Sequence, residues 1–117
     1  MIKGRLLNPQ GQAILDTVYR AESSIERMRG LLGRAELGSE EGFWIEPCNA
    51  VHTLFMTYPL DVLFLDGNGV VLKAVSHLKP WRFAGTMKAR ATLELAAGRS
   101  AGFGRIVGKQ ITWQASQ

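Results

Sequence analysis

Cys48, His52 and Asp61 are the residues of this chain best suited to chemistry, and all three fall in one otherwise apolar run, PCNAVHTLFMTYPLDVLFLD, over residues 47–66. A polar group in such surroundings loses hydration, so each must find a partner or serve a purpose. Three chemistries stay open. Cys48 could attack as a thiolate, with His52 as its base and Asp61 orienting the imidazole, given an electropositive and reachable thiol. No small-residue elbow or glycine-rich oxyanion turn precedes Cys48, which counts against that reading. Alternatively Cys48, His52 and His77 offer the sulfur and nitrogen ligands that zinc and copper accept. A structural zinc site takes four ligands, however, and the chain has a single cysteine. The third possibility is a polar network without a reaction. Arg27, Arg34, His52, Asp61 and Glu94 each sit among apolar neighbours, and a planar guanidinium satisfies a buried carboxylate through two parallel bonds. Such a network is either internal glue, the plainer reading, or the floor of a pocket.

The elements that must position these residues are mainly strands. Residues 2–7 and 13–18 read as two strands joined by the turn-forming Asn8, Pro9, Gln10 and Gly11. Ser23 and Glu26 have capping-box spacing, and Ile25, Met28, Leu31 and Leu32 fall on one face of the helix that follows, with Gly33 as its stop. Arg27 and Arg34 lie two turns apart and project alike if the helix reaches that far. Residues 42–45, 51–56 and 61–66 read as strands, with Pro59 preventing one continuous ladder between the last two. Val62, Leu63, Phe64 and Leu65 have no polar alternate, so both faces should be covered. Asp66, Gly67, Asn68 and Gly69 form a hairpin turn into residues 70–78, and residues 91–96 and 106–113 read as further strands. The expected fold is α+β, mainly β: one domain over residues 1–117 of about seven or eight short strands in a curved sheet or partly closed barrel, with one amphipathic helix.

Composition narrows the function classes. The chain has 117 residues, 46% of them hydrophobic, and no apolar run approaches the roughly 18–20 residues that span a bilayer. Asn8 to Gln12 interrupt any signal-peptide core, and a lone thiol suits a reducing compartment, so a cytoplasmic location is expected. Residues 1–66 hold six Lys/Arg and nine Asp/Glu, whereas residues 67–117 hold eight Lys/Arg and one acid, Glu94. That asymmetry can orient the molecule toward an anionic partner. The segment KPWRFAGTMKAR, residues 79–90, interleaves basic residues with Trp81 and Phe83, as a grip on single-stranded nucleic acid would. The plainer reading is a loop whose aromatics fold back onto the core, and nucleic acid is not the expected partner. Gly98, Gly102, Gly104 and Gly108 match neither a P-loop nor a dinucleotide fingerprint, and no cofactor is expected.

Four motifs in order, ERMRGLLGR (26–34), HTLFMTYPLDVLFLDGNGVV (52–71), ATLELAAG (91–98) and GRIVGKQI (104–111), resemble the prokaryotic domain-of-unknown-function family 192 over about residues 13–113. Leu32 stands where that family's helix usually has methionine. His52 and Thr53 replace bulky residues of its central strand, and Thr57 and Tyr58 replace a Lys-Asn pair. The resemblance implies a compact, mainly β fold with a short helix, and no established reaction, cofactor or substrate. The subtype reading P-C-x-x-V-H-T, residues 47–53, resembles members found beside pilus and secretion components. The expectation is therefore a non-catalytic domain that binds a small ligand or a protein, with a pilus or secretion component as the partner class the resemblance suggests. Arg27, Arg34, His52, Thr53, Asp61 and Glu94 would form its polar site, with Trp81 and Arg82 on the rim.

Overall fold

The computed structural model describes residues 1–29, 31 and 34–116. Nine strands occur among them: β1 (Ile2–Leu7), β2 (Ala13–Arg20), β3 (Glu41–Ile45), β4 (Ala50–His52), β5 (Leu60–Leu65), β6 (Val71–Leu78), β7 (Phe83–Gly85), β8 (Ala91–Ala96) and β9 (Thr112–Ala115). Seven form one sheet in the order β6-β5-β8-β3-β2-β1-β9, and β4 pairs with β7 in a separate two-stranded ribbon. Every pairing is antiparallel except β2 with β3. The crossover between those parallel neighbours carries α1 (Ser24–Arg29), as a parallel pair requires. The sheet is mixed and is not closed into a barrel. One bridge, Val70 to Gln110, joins the approach to β6 with the approach to β9.

Both faces of the sheet are buried, and period-two alternation assigns each residue to its side. One core contains Leu15, Val18, Trp44, Leu63, Leu65, Leu93 and Leu95, closed by Ile106 and Ile111. The other contains Phe43, Ile45, Leu60, Val62 and Phe64, covered by Leu31, Met56 and Tyr58, with Val51 of β4 and Ala84 of β7 packed against it. The unbroken apolar run of β5 follows from this: Leu63 and Leu65 face one core, Val62 and Phe64 the other.

Local chemistry sets the boundaries. Ser23 Oγ accepts from the Glu26 N–H at 3.1 Å, while the Glu26 carboxylate reaches the Glu22 N–H at 2.8 Å, so the helix start is capped as its spacing predicts. Of the expected apolar face, Leu31 is buried but Met28 is 79% exposed; the Ile25 side chain, Leu32 and Gly33 lie outside the described residues. Arg34 is not on α1, so the two-turn alignment with Arg27 does not arise. The strand expected over residues 51–56 stops at His52, because Phe55 takes a left-handed φ of 66° within a turn. The strand expected over residues 106–113 begins only at Thr112, after a 3-10 helix at Arg99–Phe103 and a turn in which the Lys109 N–H bonds Ile106 O.

The turn at Asp66–Gly69 forms as read. Asp66 Oδ1 accepts from the N–H groups of Asn68 (2.8 Å) and Val70 (3.0 Å), and Gly69 has a φ of 81°. A Cβ at Gly69 would also run into Ile111 O, whereas Gly11, with the same φ, faces open space. Gly69→Ala should therefore lower stability by more than about 1 kcal/mol, and by more than Gly11→Ala does. Urea denaturation of the two variants checks the ranking.

Candidate functional site

Glu94 is the centre of the site. It lies mid-strand in β8, directly opposite Phe43 of β3 and Val62 of β5, and so on the face covered by Leu31, Met56 and Tyr58 and the β4–β7 ribbon. Those covering elements do not meet over it. They leave a cleft of about 320 Å³ lined by Arg27, Met28, Leu31, Ile45, Cys48, Ala50, Val51, His52, Leu54, Met56 and Glu94. Glu94 is 5% exposed, and its Oε2 has no hydrogen-bond partner among the described residues. Burial pushes its pKa up to about 8, so at neutral pH it is a carboxylic acid, able to donate as well as accept. A mostly apolar cavity with one convergent polar group has the general form of a small-ligand site.

Cys48, His52 and Arg27 share this cleft with Glu94, each with its own local contacts. Cys48 is half-buried and its thiol donates to Ala50 O at 3.2 Å. His52 is exposed, its ring 6.3 Å from that of Phe83, and among the described residues it makes no hydrogen bond to Cys48. Arg27 reaches back to Ser24 Oγ at 3.3 Å. Arg34 places its guanidinium 5.9 Å from the centre of the Phe43 ring, and its carbonyl accepts from the Tyr58 hydroxyl at 3.2 Å. Desolvation raises the Tyr58 pKa, and the neighbouring Glu94 and Glu36 add to the shift.

Asp61 belongs elsewhere. It pairs with Leu95, so it faces the opposite side of the sheet from Glu94. It sits at a register shift in the β5–β6 ladder, fully buried, and its carboxylate is saturated by the chain around it. Oδ1 accepts from the N–H of His77 (2.8 Å) and of Gly98 (2.9 Å); Oδ2 accepts from the N–H of Ser100 (2.9 Å) and from its hydroxyl. Desolvation acts to raise its pKa, but these four donors outweigh it and hold the carboxyl below its usual range. The expected pairing of Asp61 with a guanidinium, and its role in orienting His52, are therefore both corrected: among the described residues its hydrogen bonds come from backbone amides and the Ser100 hydroxyl. His77 is drawn to the same corner, with Nδ1 2.8 Å from Ser76 Oγ and its ring beside the place that a side chain at Gly98 would take. The Cys48/His52/His77 ligand set is accordingly not brought together, and no group of three metal-binding side chains forms among the described residues.

Thr53 is buried and its hydroxyl is committed, donating to Lys79 O at 2.6 Å and accepting from the Arg82 N–H at 2.9 Å. It clamps the turn at residues 79–82 against the turn at residues 53–56. Trp81 and Arg82 lie on that clamped turn, both exposed, and Phe83 opens β7 at 73% exposure. The expectation that the aromatics of residues 79–90 fold back onto the core is thus overturned. Only Ala84 of β7 packs inward, because a three-residue strand has one inward position. Sequence reasoning missed the apolar lining (Ile45, Leu54, Met56) and the donor Ser100. The spacing Gly98-x-Ser100 after a strand was the one signal that could have exposed the latter.

Comparison with solved structures places the fold. A crystal structure from Sinorhizobium meliloti 1021, described as a candidate transcription regulator, superposes with a TM-score of 0.79 at 22% identity, covering 96% of this chain and 92% of that one. A protein of unknown function from Novosphingobium aromaticivorans DSM 12444 superposes with a TM-score of 0.75 at 24% identity, covering 95% and 84%. At such identities the likeness is one of fold alone. No curated protein matches the chain. The sequence profile of one family matches residues 6–113, nearly the whole chain and somewhat more than the motifs delimit. The chain belongs to the family described as Uncharacterized ACR, domain-of-unknown-function family 192.

Proposed function

We propose that this domain is a non-catalytic binding module whose occupant enters the cleft over Glu94. The observation that supports it is the Glu94 Oε2 atom, buried beside an open cavity and without a partner among the described residues. Leaving such an atom unsatisfied costs about 1–3 kcal/mol, which an occupant bearing one hydrogen-bond donor would offset. The walls contributed by Leu31, Ile45, Leu54 and Met56 suit a compact apolar body behind that donor. The occupant is either a free small molecule or a side chain offered by a protein, with a component of surface-appendage or secretion machinery as the partner class. Cys48 and His52 then act as wall and rim.

The test is a panel of small alkyl amines, guanidines and primary amides, titrated into isotope-labelled protein and followed by NMR. Compounds that fit should shift the resonances of Glu94, Ile45 and Met56, and Glu94→Ala should weaken them about tenfold or more. A panel that leaves those resonances unmoved, or binds Glu94→Ala equally well, removes this reading.

A further inference from the structure

Phe55 and Trp81 are bulky residues held in the left-handed backbone region, with φ of 66° and 64°, where side chains of their size are uncommon. Both conformations are fixed through Thr53, whose carbonyl accepts from the N–H of Met56 (3.2 Å) and of Trp81 (2.9 Å) while its hydroxyl ties down Lys79 and Arg82. The result is two rings 4.7 Å apart that are 67% and 54% exposed. Along the same ribbon Phe83 is 73% exposed, and Met87, which follows β7, is 93% exposed. A fold that strains its backbone to turn aromatics outward is presenting them.

The segments that build these tips are basic. Residues 47–60 and 79–93 supply the ribbon and its flanking turns, and they contain no Asp or Glu but four Lys/Arg, including exposed Lys79, Arg82 and Lys88; the acid Glu36 lies near Tyr58. We propose that the β4–β7 ribbon and its flanking turns form a docking surface for an anionic phospholipid bilayer. Tryptophan and phenylalanine partition to the bilayer interface, and each lysine or arginine near an anionic leaflet adds attraction. The tips are projecting rather than grooved, which suits a fluid surface better than a shaped partner. The Phe55 and Trp81 rings are inclined 59° to each other, so they do not form the parallel, evenly spaced platform on which successive bases stack. The ribbon also borders the Glu94 cleft through β4, but Phe55, Lys79, Arg82 and Phe83 are not among the cleft-lining residues, so the two proposals are tested by different side chains.

Co-sedimentation with vesicles of phosphatidylcholine alone, or of equal parts phosphatidylcholine and phosphatidylglycerol, tests the proposal. Binding should require phosphatidylglycerol, weaken with salt, and shift tryptophan emission to the blue in the wild type and not in Trp81→Phe, since Trp44 is buried and Trp113 half-buried. Phe55→Ala with Phe83→Ala should reduce binding about tenfold. Lys79→Glu with Arg82→Glu should reduce it about fivefold per unit of charge changed, two units at each residue. Lys3→Glu with Arg5→Glu, exposed on β1, changes the net charge equally and should leave binding within about twofold. All of these positions are exposed, so unchanged thermal midpoints are expected and exclude unfolding as the cause. The proposal is overturned if phosphatidylglycerol vesicles are not bound, or if the ribbon and β1 variants behave alike. Retention of a single-stranded oligonucleotide or an acidic peptide without vesicle binding overturns it as well, by assigning the surface to a polymer.

Discussion

Between pH 5 and pH 8 the unfolding free energy of this domain should fall by about 3–4 kcal/mol, and Glu94→Gln should abolish that decline. The folded-state pKa of Glu94 is raised from 4.5 to about 8 by burial. Through that window the native protein holds a proton that the unfolded chain has released. Its contribution to stability is complete below about pH 4.5 and is lost as the pH rises through about 8, where folding must either ionise a carboxyl away from water or remain protonated against the solution. Against a typical total of about 5–15 kcal/mol, this is a large fraction. Glutamine keeps the shape and cannot titrate. Urea denaturation at several pH values, on both proteins, measures the difference directly. Parallel pH profiles for wild type and Glu94→Gln would show that Glu94 is ionised or paired in the native state.

The second large effect is at Asp61. Asp61→Ala removes the acceptor of three backbone N–H groups and one hydroxyl, some of them buried with it, and should cost about 3–5 kcal/mol. Ser100→Ala removes one of the four bonds and should cost about 1.5–3 kcal/mol. The pH dependence runs opposite to that of Glu94. The Asp61 pKa is lowered from its ordinary 3.8, so its contribution is present above that value and disappears as the pH falls through the lower folded one. Chemical denaturation at neutral pH and at pH 3 separates the two carboxyls. An Asp61→Ala protein within about 1 kcal/mol of wild type would mean that the loop at Gly98–Ser100 finds its bonds elsewhere.

Much of this was legible in the residues. The turn at Asp66–Gly69, the capped start of α1, the double-sided burial of β5 and the mainly β class all follow from local chemistry. The site was half legible. Glu94 stood out as a lone acid between Leu93 and Leu95, and Cys48 and His52 do border the same cleft. What could not be read was register. Asp61 and Glu94 look alike in sequence, each an acid among aliphatic neighbours, yet their pairing puts Asp61 opposite Leu95 and Glu94 opposite Val62. A shift of one residue reverses every side chain. Nor does sequence show that Phe55 and Trp81 adopt positive φ, since that follows from a clamp between segments 26 residues apart.

Because alternate positions of β8 serve opposite sides, the strand can be retooled by halves. Glu94 answers to the cleft, Leu93 and Leu95 to the other core, and Thr92, on the Glu94 side, ties its hydroxyl to Cys48 O. Exchanging Glu94 would change the chemistry of the cleft on an unaltered chassis, as long as its two neighbours are left alone.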